Sequence, residues 1–259
     1  MPSISLVLPA FNEAENIEAM IAEAVPALEA SVKDSGGASG IPESDAAPEN
    51  EGWEIIVVDD GSADETAAIT RRLMESIPQL RLVQHPVNQG FGAAVFNGFT
   101  SAEKEWIFYT DADRQFVMSE LEQFAPLMDQ ADLIAGYRAP RRDPFMRVVF
   151  GKGWSTLCTS MFGYTVRDVD CAFKLFRREI IEDLAPSIAS RGATFSIEWL
   201  VRAKRAGYRF VELPVSHRPR VAGSQTGANV NVIARAFREL LGFRLQLWRE
   251  GKPRSSPRS

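Results

Sequence analysis

Histidine and cysteine are scarce: His85 and His217 are the only histidines and Cys158 and Cys171 the only cysteines in 259 residues. None of them has metal-ligand spacing, so a zinc cluster or a His-based metal centre is not expected. Two thiols without a framework fit buried side chains in a reducing compartment rather than a disulfide. No run approaches the roughly 18 apolar residues that cross a bilayer. Met1-Pro2-Ser3-Ile4 enters a strand pattern directly, so no signal peptide is expected. Any membrane contact is therefore expected to be peripheral. There is no Gly-x-x-x-x-Gly-Lys-Ser/Thr loop and no Gly-x-Gly-x-x-Gly after the first strand, which argues against a P-loop NTPase and a nicotinamide dehydrogenase. No internal repeat is found. A formal net charge of -5 argues against nucleic-acid binding as the main role.

What is present suffices for one large core, since 45% of the residues are hydrophobic. Ile4 to Leu8 reads as a strand stopped by Pro9. A helix follows, with Asn12 as its cap and Glu15 three residues on. Ile17, Met20, Ile21, Ala24 and Leu28 line one face, and Pro26 should kink it. Asp34 to Gly52 is rich in Gly, Ser, Pro and acid and is expected to be a mobile acidic loop. Further strands are expected at Trp53–Val58, Leu80–Val83, Trp106–Thr110 and Ala131–Ala135. A capping box at Ser62–Glu65 should open the second helix, and a third should start at Gly90. Strands alternating with helices predict an α/β fold with a mostly parallel sheet between helices. After Pro140 the pattern turns to amphipathic helices and short strands.

In such a sheet, ligands bind beyond the carboxyl ends of the strands, where the winding reverses. Acidic residues gather at those ends: Glu13 after strand one, Asp59-Asp60 after strand two, Asp111-Ala112-Asp113 after strand four. Clustered carboxylates call for a cation. Two of them one residue apart, with Gln115 close by, suit Mg²⁺ or Mn²⁺, leaving positions open for water and phosphate.

The ordered set Leu8-Pro9-Ala10-Phe11-Asn12-Glu13, Val57-Val58-Asp59-Asp60-Gly61-Ser62, Asn88-Gln89-Gly90-Phe91-Gly92, Asp111-Ala112-Asp113-Arg114-Gln115, Gly136-Tyr137-Arg138, Asp168-Val169-Asp170-Cys171-Ala172-Phe173-Lys174, Phe195-Ser196-Ile197-Glu198 and Arg220-Val221-Ala222-Gly223-Ser224 resembles the family-two glycosyltransferases of the GT-A (Rossmann-like) fold. Within them it is most similar to the dolichol-phosphate mannosyltransferase-like branch. The resemblance implies a metal-dependent, inverting transfer of a hexose, mannose or glucose, from GDP-mannose or a UDP-hexose to a polyprenyl phosphate. It implies donor contacts from Pro9, Phe11, Glu13, Val58, Asp60, Asp111, Ala112, Arg220, Gly223 and Ser224. Asp111, Asp113 and Gln115 would hold the metal, and Arg138 and Arg147 would meet the acceptor phosphate, with Asp113 and Arg138 closest to the chemistry. Phe11 stands where a tyrosine is common, and Gln225 where a basic residue is common.

A phosphate acceptor is already anionic and needs positioning cations, whereas a hydroxyl needs a base. Arg138, Arg141, Arg142, Arg147 and Lys152 against Asp143 alone favour the phosphate. A hydroxyl acceptor, with Asp168 or Asp170 as base, is the alternative, and a non-catalytic sugar-nucleotide-binding protein a weaker one. Asp168, Asp170 and Glu198 also admit plain structural roles. The expected organisation is a catalytic domain over 1–225 and a basic amphipathic helix and tail over 226–259. Val230–Ser259 holds seven Lys or Arg against Glu239 and Glu250. Ile233, Ala234, Phe237, Leu240, Leu241, Leu245 and Trp248 recur at helical spacing, which predicts a helix lying on an anionic membrane. Expected partners are the nucleotide-sugar, the lipid phosphate and the membrane surface, with a separate membrane partner protein left open and no nucleic acid. The expected location is peripheral, on the cytoplasmic face.

Overall fold

A computed structural model describes residues 2–34, 52–140, 145–192, 194–219 and 230–251; the side chains of 33–34, 145–150, 152 and 230–235 lie outside that description. The loop expected over 34–52 falls almost wholly outside it, as do the domain boundary at 225, Arg220, Gly223, Ser224 and the side chain of Arg147.

Among the described residues, seven strands form one sheet. They are β1 Ile4–Ala10, β2 Trp53–Asp59, β3 Leu80–Gln84, β4 Trp106–Tyr109, β5 Leu133–Arg138, β6 Lys174–Arg177 and β7 Phe210–Val215. Their order is β3-β2-β1-β4-β6-β5-β7. β1, β2, β3 and β4 run parallel, with Ala10 opposite Asp59. The apolar runs explain these strands: β2 and β4 are buried at every residue, as parallel strands covered on both faces must be. β6 runs antiparallel between β4 and β5, and β7 returns parallel to β5. The sequence pattern did not show that antiparallel insertion, because β6 is only four residues long and has no alternation of its own.

Helices α1 Ile17–Asp34, α2 Thr66–Met74, α3 Phe91–Ser101, α4 Phe145–Phe162, α5 Glu179–Leu184, α6 Phe195–Arg205 and α7 Val230–Glu250 surround the sheet. Ile17, Met20, Ile21, Ala24 and Leu28 of α1 are buried as their spacing implies, and the helix runs on through Pro26. Phe99 of α3 makes ring contacts with Tyr109, Phe176, Phe195 and Trp199, tying α3, β4, β6 and α6 together. Each such pair contributes about 0.5–1.5 kcal/mol beyond its burial. Leu240, Phe243 and Leu247 of α7 join the same core.

A polar link ties the amino ends of β1, β2 and β3 together. The buried Glu54 accepts a hydrogen bond from the Ser5 hydroxyl at 2.6 Å and pairs with Arg81 at 2.7 Å. Burial pushes its carboxyl up, but the bonds from Ser5, the Glu103 N–H and Arg81 outweigh that and hold it below its ordinary value. Cys158 and Cys171 are free thiols, both buried, as their lack of spacing suggested.

Candidate active site

Strand order reverses between β1 and β4, so the cleft of an open α/β sheet belongs at their carboxyl ends. The chain leaves β1 through Phe11, which is 40% exposed, and Asn12, whose φ is 57°. Asn tolerates this left-handed conformation because its short side chain bonds locally. The Asn12 N–H donates to Ser62 Oγ at 2.9 Å, and Asn12 Oδ1 accepts the Ala63 N–H at 2.9 Å. Asp64 accepts the N–H groups of Ala14 and Thr66, each at 3.0 Å, and the Thr66 hydroxyl accepts the Glu13 N–H at 2.9 Å. These bonds stitch the loops after β1 and β2 together. They also correct two expectations. Asn12 does not cap α1, and Ser62 does not cap α2; both reach the neighbouring loop instead, and Asp64 takes the N–H at the start of α2. Glu13 is buried and accepts the Asn16 amide at 2.6 Å.

Asp60 organises a third loop. Its Oδ1 accepts the Gln89 N–H at 2.8 Å and lies 2.7 Å from His85 Nδ1; its Oδ2 accepts the Gly90 N–H at 2.8 Å. The far ring nitrogen of His85 is 2.7 Å from the Asn97 amide nitrogen, which assigns the proton to Nδ1. Asp60 thus holds the entry to α3, and a part in donor binding would run through that loop. Gly61 has φ 71°, and a Cβ there would stand 2.6 Å from the Asn88 nitrogen, so only glycine fits. Gly61, Ser62, Gln84, His85 and Pro86 line an open recess. Val58 and Ala112 turn their side chains into the core, so a donor contact from either would be a backbone contact.

After β4, Asp111 is partly exposed and Asp113 buried. Asp113 Oδ1 accepts the Gln115 N–H at 3.1 Å, and the Gln115 amide nitrogen donates to the Arg218 carbonyl at 3.1 Å. Burial pushes the Tyr109 hydroxyl well above its ordinary value. The charges of Asp111, Cys171, Asp170 and Asp113 add to that. Between Asp113 and Gln115, Arg114 has φ 60°, unusual for a long side chain. Its guanidinium is anchored on Glu23 of α1 at 2.6 Å, and Glu23 also lies 3.7 Å from Arg218. No sequence signal marked Arg114 or Glu23 as shaping this turn. Among the described residues no group of three or more His, Cys, Asp or Glu could hold a metal. The donor set here is two carboxylates and an amide on one turn. That suits a hard cation completed by water and phosphate oxygens, not a closed protein cage.

On the other side of the cleft, β5 ends at Arg138 and the segment 168–173 leads into β6. Arg138 Nε and Nη2 each donate to Asp168 at 2.8 Å, a paired grip with both side chains more than nine-tenths buried. Behind it the buried Lys174 ammonium donates to the carbonyls of Val169, at 3.1 Å, and Cys171. Burial pulls that ammonium below its ordinary value, although Cys171, Asp168 and Asp170 oppose the shift. Lys174 was present in the sequence motif but carried no assigned role.

Two other residues find structural places. Glu198 is buried, accepts the N–H groups of Ala189 and Ser190, and pairs with Arg202 at 3.0 Å. His217 is buried against Phe116, one residue before Arg218.

Comparison with known proteins agrees with this architecture. Over 224 residues, 82% of this chain, it is 33% identical to dolichyl-phosphate beta-glucosyltransferase ALG5C of Trichomonas vaginalis. It is 32% identical over 223 residues, 84% of this chain, to glycosyltransferase AglD of Haloferax volcanii. The chain spans 62% of the first protein's length and 33% of the second's. In three dimensions it resembles glucosyl-3-phosphoglycerate synthase of Mycobacterium tuberculosis, solved with Mn²⁺, UDP and glucosyl-3-phosphoglycerate. The TM-score is 0.63 at 18% identity, covering 95% of this chain and 79% of that one, a likeness of fold. The model of "Glycosyl transferase family 2" matches residues 5–185, which carry every strand end that builds the cleft except that of β7. The chain belongs to glycosyl transferase family 2.

Proposed function

We propose that this chain transfers glucose from UDP-glucose to a polyprenyl phosphate, with inversion, at the cytoplasmic face of a membrane. The observation that carries the reading is the 33% identity to a dolichyl-phosphate beta-glucosyltransferase over 82% of the chain. In the reaction an acceptor phosphate oxygen attacks the anomeric carbon. The bond from that carbon to the diphosphate breaks, and UDP leaves with the electron pair. Asp111, Asp113 and Gln115 are the residues that would hold Mg²⁺ or Mn²⁺. When bound, the cation supplies neutralisation of the charge gathering on the leaving diphosphate.

The chain's own residues do the positioning. Phe11, exposed beside the β1–β2 loops, offers a face for the nucleoside. Asp60 holds the Gln89-Gly90 backbone in place for close approach of the donor. Arg220, Gly223 and Ser224 are assigned to the donor phosphates by family resemblance, and Arg147 to the acceptor phosphate. Arg138 is assigned to the acceptor phosphate too, its plane set by Asp168. That same ion pair weighs against Asp168 as base for a hydroxyl acceptor, because both its oxygens already accept from a guanidinium. A phosphate needs no base.

A transfer assay tests the proposal. Radiolabelled UDP-glucose, GDP-mannose and UDP-N-acetylglucosamine are each offered with a polyprenyl phosphate or with the matching polyprenol, in Mg²⁺ or Mn²⁺. Label should enter the lipid extract from UDP-glucose with the phosphate acceptor and be lost on chelation. Transfer to the alcohol alone, or from another donor only, rejects the assignment.

A further inference from the structure

Helix α7 carries two apolar stripes where the sequence pattern suggested one. Ala236, Leu240, Phe243 and Leu247 are buried against the body of the protein, and Phe243 meets Phe162 of α4 at 5.1 Å. Phe237, Leu241, Leu245 and Trp248 form the second stripe, 44%, 58%, 57% and 75% exposed. Leu240, grouped with the outer residues on spacing alone, belongs to the inner stripe. The inner stripe accounts for why α7 packs where it does. Folding accounts for only the first residue of the outer one: Phe237 meets Trp154 of α4 edge-on at 6.0 Å, while Leu241, Leu245 and Trp248 are left to water.

Charge sorts the same way. The only acids of α7 are Glu239 and Glu250. Glu239 accepts the Thr194 hydroxyl at 2.9 Å, and Glu250 takes both terminal nitrogens of Arg202, at 3.0 and 3.1 Å. Both are thus turned toward the body. Arg238, Arg244 and Arg249 are exposed. At about 100° per residue, the outer stripe covers an arc of roughly 80°. Arg238 and Arg249 border it on one side, Arg244 on the other, and the two acids lie roughly opposite its centre.

We propose that this face of α7 docks on an anionic lipid bilayer. The stripe would enter the acyl boundary, and the arginines, on long flexible stems, would reach the headgroup phosphates. A second copy of the chain fits less well, since it would bring the same three arginines and no acid from α7 to meet them. The proposal stands on α7 alone and is independent of the transfer reaction.

Vesicle flotation of the intact chain tests it, with phosphatidylcholine alone or with about 30% phosphatidylglycerol. Binding to the anionic vesicles should exceed that to the neutral ones by about tenfold at low salt. It should fall several-fold in about 0.5 M NaCl, where the Debye length shrinks to a few ångströms. Leu241→Glu/Leu245→Glu should lose about tenfold or more in binding with an unchanged melting temperature. Arg238→Gln/Arg244→Gln/Arg249→Gln, which leaves every apolar contact in place, should lose the preference for anionic lipid. Failure of the intact chain to float overturns the proposal, as does full binding by the Leu241/Leu245 variant. Light scattering supplies the remaining outcome: a dimer at about 10 μM that the same double variant dissociates, without flotation, assigns the stripe to a second copy instead.

Discussion

The two sides of the cleft are held by different physics. On the β1–β2–β3 side, short polar side chains bond to the backbone of neighbouring loops: Asn12 to Ala63, Asp64 to Ala14, Asp60 to Gln89 and Gly90. On the β5–β6 side, buried ions do the work, with Arg138 on Asp168 and Lys174 on two carbonyls. The first arrangement is distributed, so losing one exposed bond should cost little. The second is concentrated, because a charge deprived of its partner inside the protein has no water to turn to.

The sharpest way to break this contrast is Asp168→Ala. It takes from the buried Arg138 guanidinium the carboxylate that grips it through two nitrogens and should cost about 3–5 kcal/mol of stability, read by urea unfolding. A loss near 1 kcal/mol would erase the distinction between the two sides. Next in size is Asp113→Asn, which keeps an acceptor for the Gln115 N–H but removes a charge from a crowded carboxylate turn. Turnover should fall by about 10²–10³, the scale on which transition-state charge stabilisation is lost. The melting temperature should hold or rise, since mutual repulsion is relieved. A variant with full turnover in the transfer assay would remove Asp113 from the cation site.

The smallest effect belongs to Asp64→Ala, which deletes a helix-start acceptor and one stitch between loops, at about 1 kcal/mol near pH 7. Its pH dependence sharpens the point. Burial nudges the Asp64 carboxyl up, but hydrogen bonds from Thr66 and Ala14 prevail and hold it below its ordinary value. A depressed folded value contributes stability above the unfolded value, about 3.9, and loses it as pH falls through the folded one. The gap between wild type and variant should therefore be full at pH 6 and close below about pH 4. A gap that widened in acid would mean that the Asp64 carboxylate is not the group being read.

Much of the donor side was legible. Leu6-Val7-Leu8, Ile55-Ile56-Val57-Val58 and Ile107-Phe108 are unbroken apolar runs, and the acids after them sit where parallel strands end. Local partners were misread. Asn12 and Ser62 have the right side chains to cap their own helices, yet the neighbouring loop lies closer in space than in sequence, fifty residues away. The acceptor side was legible as a set of motifs but not as an ion pair. Arg138 and Asp168 are thirty residues apart and meet only because β6 inserts antiparallel beside β5.

The sequence by itself determined that the segments of β1, β2 and β4 become strands, because burial on both faces of a parallel sheet demands continuous apolar residues, and it determined that carboxylates follow them. Tertiary structure alone decided what each polar group faces. Asp60 bonds to a loop backbone, Asp168 holds Arg138, and Glu239 and Glu250 of α7 turn inward while Phe237, Leu241, Leu245 and Trp248 remain outside. The physical reason is range. The preference of an apolar residue for burial can be read one residue at a time, whereas a hydrogen bond or ion pair exists only once the fold has brought donor and acceptor within about 3 Å of each other.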